Sequence, residues 1–214
     1  MKQVRSDFTG DSVKDVVRHG HISTALGMYL ADMRKCKLRC DWLELAGKEA
    51  PSASLLFEYD LLEAPYKYIG WDTNVVAIAE CRELFADQVA AGLASFHTGD
   101  LKEALTIPVQ PHLRDVGVLV WDQTGAPTDT FIDDILPALL QFAKEQRKRM
   151  VEFLLVIAVS HPPQMGSSKD VQLQKLGEVI GKALGEGPVL PEDFLQYTGE
   201  GSVIPMHVLR IRLV

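Results

Sequence analysis

Two short segments of the chain, residues 116–121 (VGVLVW) and 153–159 (FLLVIAV), are apolar at nearly every position. A strand with one wet face alternates polar and apolar side chains, so an unbroken apolar run of strand length reads as a strand covered on both faces. Three further runs of similar length, at 40–45, 66–71 and 95–98, are each followed by turn residues. Between the runs, residues 52–62, 75–93, 130–149 and 170–184 place apolar side chains at helical spacing. Parallel neighbours cannot be joined by a tight turn and need a crossover, which these helices supply. The expected fold class is α/β, a three-layer sandwich built on a mostly parallel, doubly wound sheet. The C-terminal HVLRIRLV is less regularly apolar than the buried runs and reads as an edge or antiparallel strand.

Before the first strand, residues 15–33 place Val16, Val17, Ile22, Leu26, Tyr29, Leu30 and Met33 three and four apart, interrupted near Gly20. This predicts an N-terminal covering helix within an extension at about 1–37. The 214 residues contain no internal repeat and no linker, and 47% hydrophobic content suffices for one core, so a single domain over 1–214 is expected. Three cysteines, Cys36, Cys40 and Cys81, are an odd set that argues against a secreted disulfide framework. With no apolar leader and no run of about 18 apolar residues, the expectation is a cytoplasmic protein without a membrane segment. A net charge of −7 disfavours non-specific coating of nucleic acid and favours small-molecule chemistry.

In an open parallel sheet, ligands bind beyond the carboxyl ends of the strands. Here those ends read DWLELAGKEAPS, YKYIGWDTN, SFHTGDL and VGVLVWDQTGAP, and three of them deliver an aspartate: Asp72, Asp100 and Asp122. A carboxylate after the second strand suits a ribose, whose hydroxyls it can accept from, and one after the third suits the exocyclic amine of adenine. Each aspartate could instead cap the following helix, and Asp72-Thr73-Asn74 before Val75 fits that role well.

From about Leu38 to Val159 the chain resembles the class I, Rossmann-like S-adenosylmethionine-dependent methyltransferases. That resemblance implies that the turn after the first strand, Glu44-Leu45-Ala46-Gly47-Lys48-Glu49-Ala50-Pro51, holds the methionine part of the cofactor S-adenosylmethionine. It likewise implies Asp72 on the ribose, Asp100 on the adenine and Asp122 facing the methyl acceptor. The cofactor-binding set is then Glu44, Gly47, Asp72 and Asp100, and the catalytic candidate is Asp122. A second, weaker similarity is to the three-Cys-motif partner proteins of mobile elements. The family's first turn has an acid followed by glycines at alternate positions, whereas this chain keeps one glycine, and Ala46 and Ala50 cannot take positive φ cheaply.

Three other motifs carry less. Ser160-His161-Pro162-Pro163-Gln164 resembles the (Asp/Asn/Ser)-Pro-Pro-aromatic motif of amino-methyltransferases, but with an extra residue, without the aromatic and after the fifth strand. His19, His21, Cys36 and Cys40 have no recognised zinc spacing and lie near Arg34, Lys35, Lys37 and Arg39. The basic residues at 144–149 complement a helix end. Two functions remain open: a methyltransferase acting by positioning and direct displacement, or a catalytically inactive protein of that fold serving as a binding or structural subunit. A doubly wound protein for another nucleotide is a third reading. No motif names the acceptor or the oligomeric state, and nucleic acid is an acceptor that the net charge does not favour.

Overall fold

The computed structural model describes residues 22, 25, 37–47, 49–105, 108–123, 127–149, 153–160, 168–185, 195–198 and 205–213. Seven strands form one sheet in the order β3-β2-β1-β4-β5-β7-β6. They are β1 (Asp41–Leu45), β2 (Tyr68–Asp72), β3 (Ala94–Thr98), β4 (Val116–Gln123), β5 (Phe153–Ser160), β6 (Leu195–Thr198) and β7 (Pro205–Leu213). The first five are mutually parallel, while β7 runs antiparallel to both β5 and β6. The expected α/β sandwich is therefore present. The C-terminal strand is antiparallel, but it is not the edge. That place belongs to β6, too short and too polar to announce itself in the sequence.

The helices are α1 (Pro51–Glu58), α2 (Val75–Leu84), α3 (Ala86–Ala90), α4 (Leu101–Ala104), α5 (Leu136–Arg147) and α6 (Ser168–Leu184). Side chains alternate between the two faces of the sheet, which sorts the core into two layers. On one face Trp42, Tyr68, Phe96, Val118, Val156 and Val208 pack with Leu56 of α1 and Ile78 of α2. On the other, Leu43, Ile69, Leu119 and Leu155 pack with Leu101 of α4, Phe142 of α5 and Leu176 of α6. Burying each large apolar side chain contributes roughly 1.5–3 kcal/mol, so the two layers together drive the fold. Right-handed crossovers explain the sorting. The chain steps outward from β1 through β2 to β3 and, in the opposite direction, from β4 to β5, so the connecting helices fall on opposite faces. The reversal leaves a crevice at the tips of β1 and β4, where doubly wound sheets bind ligands.

Helix boundaries depart from the sequence period for local reasons. The helix expected over 52–62 stops at Glu58, since Asp60 turns left-handed (φ 51°) and Leu61 and Leu62 return to the core. The one expected over 75–93 breaks at Phe85, whose ring packs against Phe57 and Phe96. The one expected over 130–149 opens as a π-helical turn, Phe131–Ile135, ahead of Pro137, which lacks the N–H an α-helix would need there. Of the expected N-terminal helix, Ile22 and Ala25 are helical, and Ile22 is buried against the Trp42 layer. The rest of that segment lies outside the described residues, as do 161–164 and the cysteine and histidines at 36, 19 and 21.

Candidate functional site

The site begins at the end of β1. Glu44 points into the Trp42 layer and is buried, with both carboxylate oxygens engaged: Trp42 Nε1 and Ser52 Oγ each donate to it at 2.9 Å. It therefore braces the turn from beneath. Above it, Ala46 N donates to Trp71 O at 3.0 Å, and Ala50 N donates back to Ala46 O at 3.1 Å. Gly47 takes φ +57°, and a Cβ added there would meet nothing within 4 Å, so the turn borders open space. Its carbonyl accepts from the Cys81 thiol of α2 at 3.3 Å. Burial pushes the Cys81 thiol up to about 11, so it keeps its proton at neutral pH. Ala50 is also left-handed (φ 41°, ψ 59°), despite its Cβ, immediately before the Pro51 that starts α1. A non-glycine residue there costs about 1–2 kcal/mol, which the buried surroundings must offset.

At the end of β2 the capping role belongs to Asn74, not to Asp72. Asn74 Oδ1 accepts from Val76 N (3.0 Å) and Ala77 N (3.3 Å) at the start of α2. Asp72 Oδ1 accepts from Asn74 N at 2.8 Å, and its Oδ2 bonds no described residue. Asp72 is thus oriented by one oxygen and offers the other. Asp100 does act as a cap: it is exposed and accepts from Lys102 N at 2.9 Å at the start of α4. Asp122 is the penultimate residue of β4, level with Ala158 of β5, and is exposed. At the helix that follows, Thr128 Oγ1 accepts from Phe131 N at 3.2 Å, while Asp129 pairs with Lys175.

Strand register brings these residues into one row. Leu45 pairs with Trp71, Glu44 with Val120, and Asp72 with Thr98, so Ala46, Asp72, Thr98 and Asp122 stand at the same height. With strands about 4.8 Å apart, Asp72 and Asp122 flank the β1 turn about 10 Å from each other. Gly47 stands one residue past this row and Asp100 two.

Sequence reasoning missed a stack behind Asp72. Trp71 lies over His97 (4.7 Å between centroids, 18° between planes), and His112 stacks on both at 5.6 and 6.3 Å. Trp71 Nε1 is buried without a hydrogen-bond partner among the described residues and faces Gly99. Burial lowers the affinity of both histidines for a proton, and for His97 the neighbouring His112, Arg82 and Lys67 lower it further. The signal was the pairing of Trp71 with His97 across β2 and β3, which only the register discloses. Among the described residues, no group of three histidine, cysteine, aspartate or glutamate side chains is placed to hold a metal. No helix among them is long and apolar enough to cross a membrane.

No family model and no curated protein matches the sequence. Solved structures do match the fold. The O-methyltransferase TomG from Streptomyces achromogenes, in complex with SAM, aligns over 95% of this chain and 80% of its own, with a TM-score of 0.56 at 13% identity. The chain has the class I methyltransferase fold. A Klebsiella pneumoniae protein assigned as an O-methyltransferase aligns over 90% of this chain and 78% of its own, with a TM-score of 0.51 at 12% identity. At such identities the likeness establishes the methyltransferase architecture and leaves the chemistry to the site itself.

Proposed function

We propose that the chain binds S-adenosylmethionine across the tips of β1, β2 and β3 and passes its methyl group to an acceptor beyond β4. The observation that carries this reading is Asp72. Asn74 relieves it of capping, one of its oxygens is fixed, and the other is left beside the turn of Gly47. The residues present suit the cofactor: open space at Gly47 admits the methionine part, and the second oxygen of Asp72 can accept from a ribose hydroxyl. Asp100, a cap through one oxygen, keeps the other for an adenine amine. Glu44 contributes by bracing the turn. S-adenosylmethionine, when bound, supplies an electrophilic methyl group on a sulfonium. The protein's part is then to orient the acceptor, with Asp122 accepting its hydrogen bond, and most of the rate comes from positioning.

Calorimetric titration with S-adenosylhomocysteine tests the proposal. Losing one charge-assisted hydrogen bond should make Asp72→Ala bind on the order of 10- to 100-fold more weakly. No heat and no thermal shift with the unmodified protein at millimolar ligand would reject it. A second reading, a catalytically inactive protein of this fold serving as a binding or structural subunit, is favoured by the single glycine left in the first turn. Labelled cofactor tested against DNA, RNA, protein and small-molecule acceptors separates the two. Binding with no labelled acceptor would leave Asp122 without a catalytic role.

A further inference from the structure

Gly47 is the point of the first turn with the least support from its own side chain, and α2 reaches it through Cys81 Sγ, 3.3 Å from the Gly47 carbonyl. The same helix begins at Asn74, whose backbone N–H is held by Asp72. One rigid element therefore touches both the turn after β1 and the acid after β2. We propose that Cys81 is a positioning residue, its thiol hydrogen bond setting the orientation of the Gly47 peptide relative to Asp72 so that both meet one ligand. This rests on the cofactor reading above and deepens it. A trans peptide is planar, with its carbonyl and its N–H on opposite edges. Holding the Gly47 carbonyl toward α2 therefore limits how the turn after β1 can rotate, and with it the face the turn offers to a ligand beside Asp72. Gly47 is left-handed and borders open space, so among the described residues the thiol is the side chain that reaches its carbonyl. The thiol suits the task because burial keeps it protonated, so it donates at all physiological pH values.

The test compares the full-length protein with Cys81→Ala, Cys81→Ser and, as a packing control in the same helix, Ile78→Val. Two readouts are taken: amide exchange at Ala46 and Ala50, and the dissociation constant for S-adenosylhomocysteine. A lost weak hydrogen bond predicts that Cys81→Ala weakens binding about 3- to 10-fold and speeds exchange at Ala50 by a similar factor. Cys81→Ser should restore both to within about 2-fold. Ile78→Val should lower Tm while leaving both readouts alone. Unchanged exchange in Cys81→Ala overturns the proposal, as does a serine variant that behaves like the alanine one. Faster exchange with unchanged affinity overturns the positioning role while leaving the tie itself in place. If the unmodified protein binds no S-adenosylhomocysteine, the cofactor reading fails, and exchange alone then decides whether the thiol orders the turn.

Discussion

The two halves of the strand-tip row are held by different means. On the β1–β3 side, short-range bonds to backbone groups order every element: Ala46 N to Trp71 O, Gly99 N to Asp72 O, Asn74 N to Asp72, and the Cys81 thiol to Gly47. On the β4 side, the described residues after the strand are anchored by the buried Phe131 and Ile132, and their surface is tied to neighbouring elements by long side chains. Lys102 reaches Asp134, and Lys175 reaches Asp129 and Asp133, all but Lys102 more than a third exposed. Exposed pairs of that kind contribute little and are screened by salt. The difference teaches where precision is stored: the half proposed for the cofactor is preorganised, and the half proposed for the acceptor can change its surface at small cost to the fold.

The sharpest challenge to this contrast is Gly70→Ala, beside the turn. A Cβ at Gly70 would lie 2.5 Å from Phe96 Cδ1 and 3.0 Å from the Cβ of Ala46, and the Phe96 ring is confined by Tyr68 and Phe85. Overpacking there should cost about 1–3 kcal/mol in chemical denaturation. A cost near zero would mean that the β1–β3 half is not tightly set. Acid probes the same half through His97 and His112. Their proton affinities are lowered by folding, so the stability they confer is fully present above the unfolded pKa near 6.5 and is lost as pH falls through the folded values. Tm should fall as pH is lowered below about 6.5, and less steeply in His97→Gln. Equal pH profiles for the two proteins would remove the stack from the account.

Smaller effects refine it. Ala50→Gly relieves left-handed strain but loses a buried methyl and adds disorder to the unfolded chain, so stability should change by no more than about 0.5 kcal/mol. A loss above about 1 kcal/mol would show that Ala50 is not strained. Smallest of all, Lys175→Ala on the β4 side should leave Tm unchanged within error, and a clear drop would show that half to be as firmly built as the other.

The sequence made the sheet legible because burial on both faces leaves an unmistakable apolar run in β4 and β5. The acids were equally visible, because strand tips follow directly from strand ends. Function within the tips was less so. That Asn74 rather than Asp72 caps α2, and that Glu44 spends both oxygens on Trp42 and Ser52, depends on side-chain direction, which spacing does not encode. Ala50 was read as a residue ill suited to positive φ, yet it takes φ 41° with its methyl fully buried. Trp71, His97 and His112 come from three separate segments, and only strand register brings them together. The short β6 has no apolar run, and its alternation spans only four residues, too few to mark it.

The most direct measurement is a parallel titration of the unmodified protein, Asp72→Ala and Asp122→Asn with S-adenosylhomocysteine, alongside thermal denaturation of each without ligand. The account predicts saturable binding by the unmodified protein, affinity about 10- to 100-fold lower in Asp72→Ala, and near-normal affinity in Asp122→Asn, with all three proteins folded. Equal affinities in all three proteins, or no binding by the unmodified one, would contradict it.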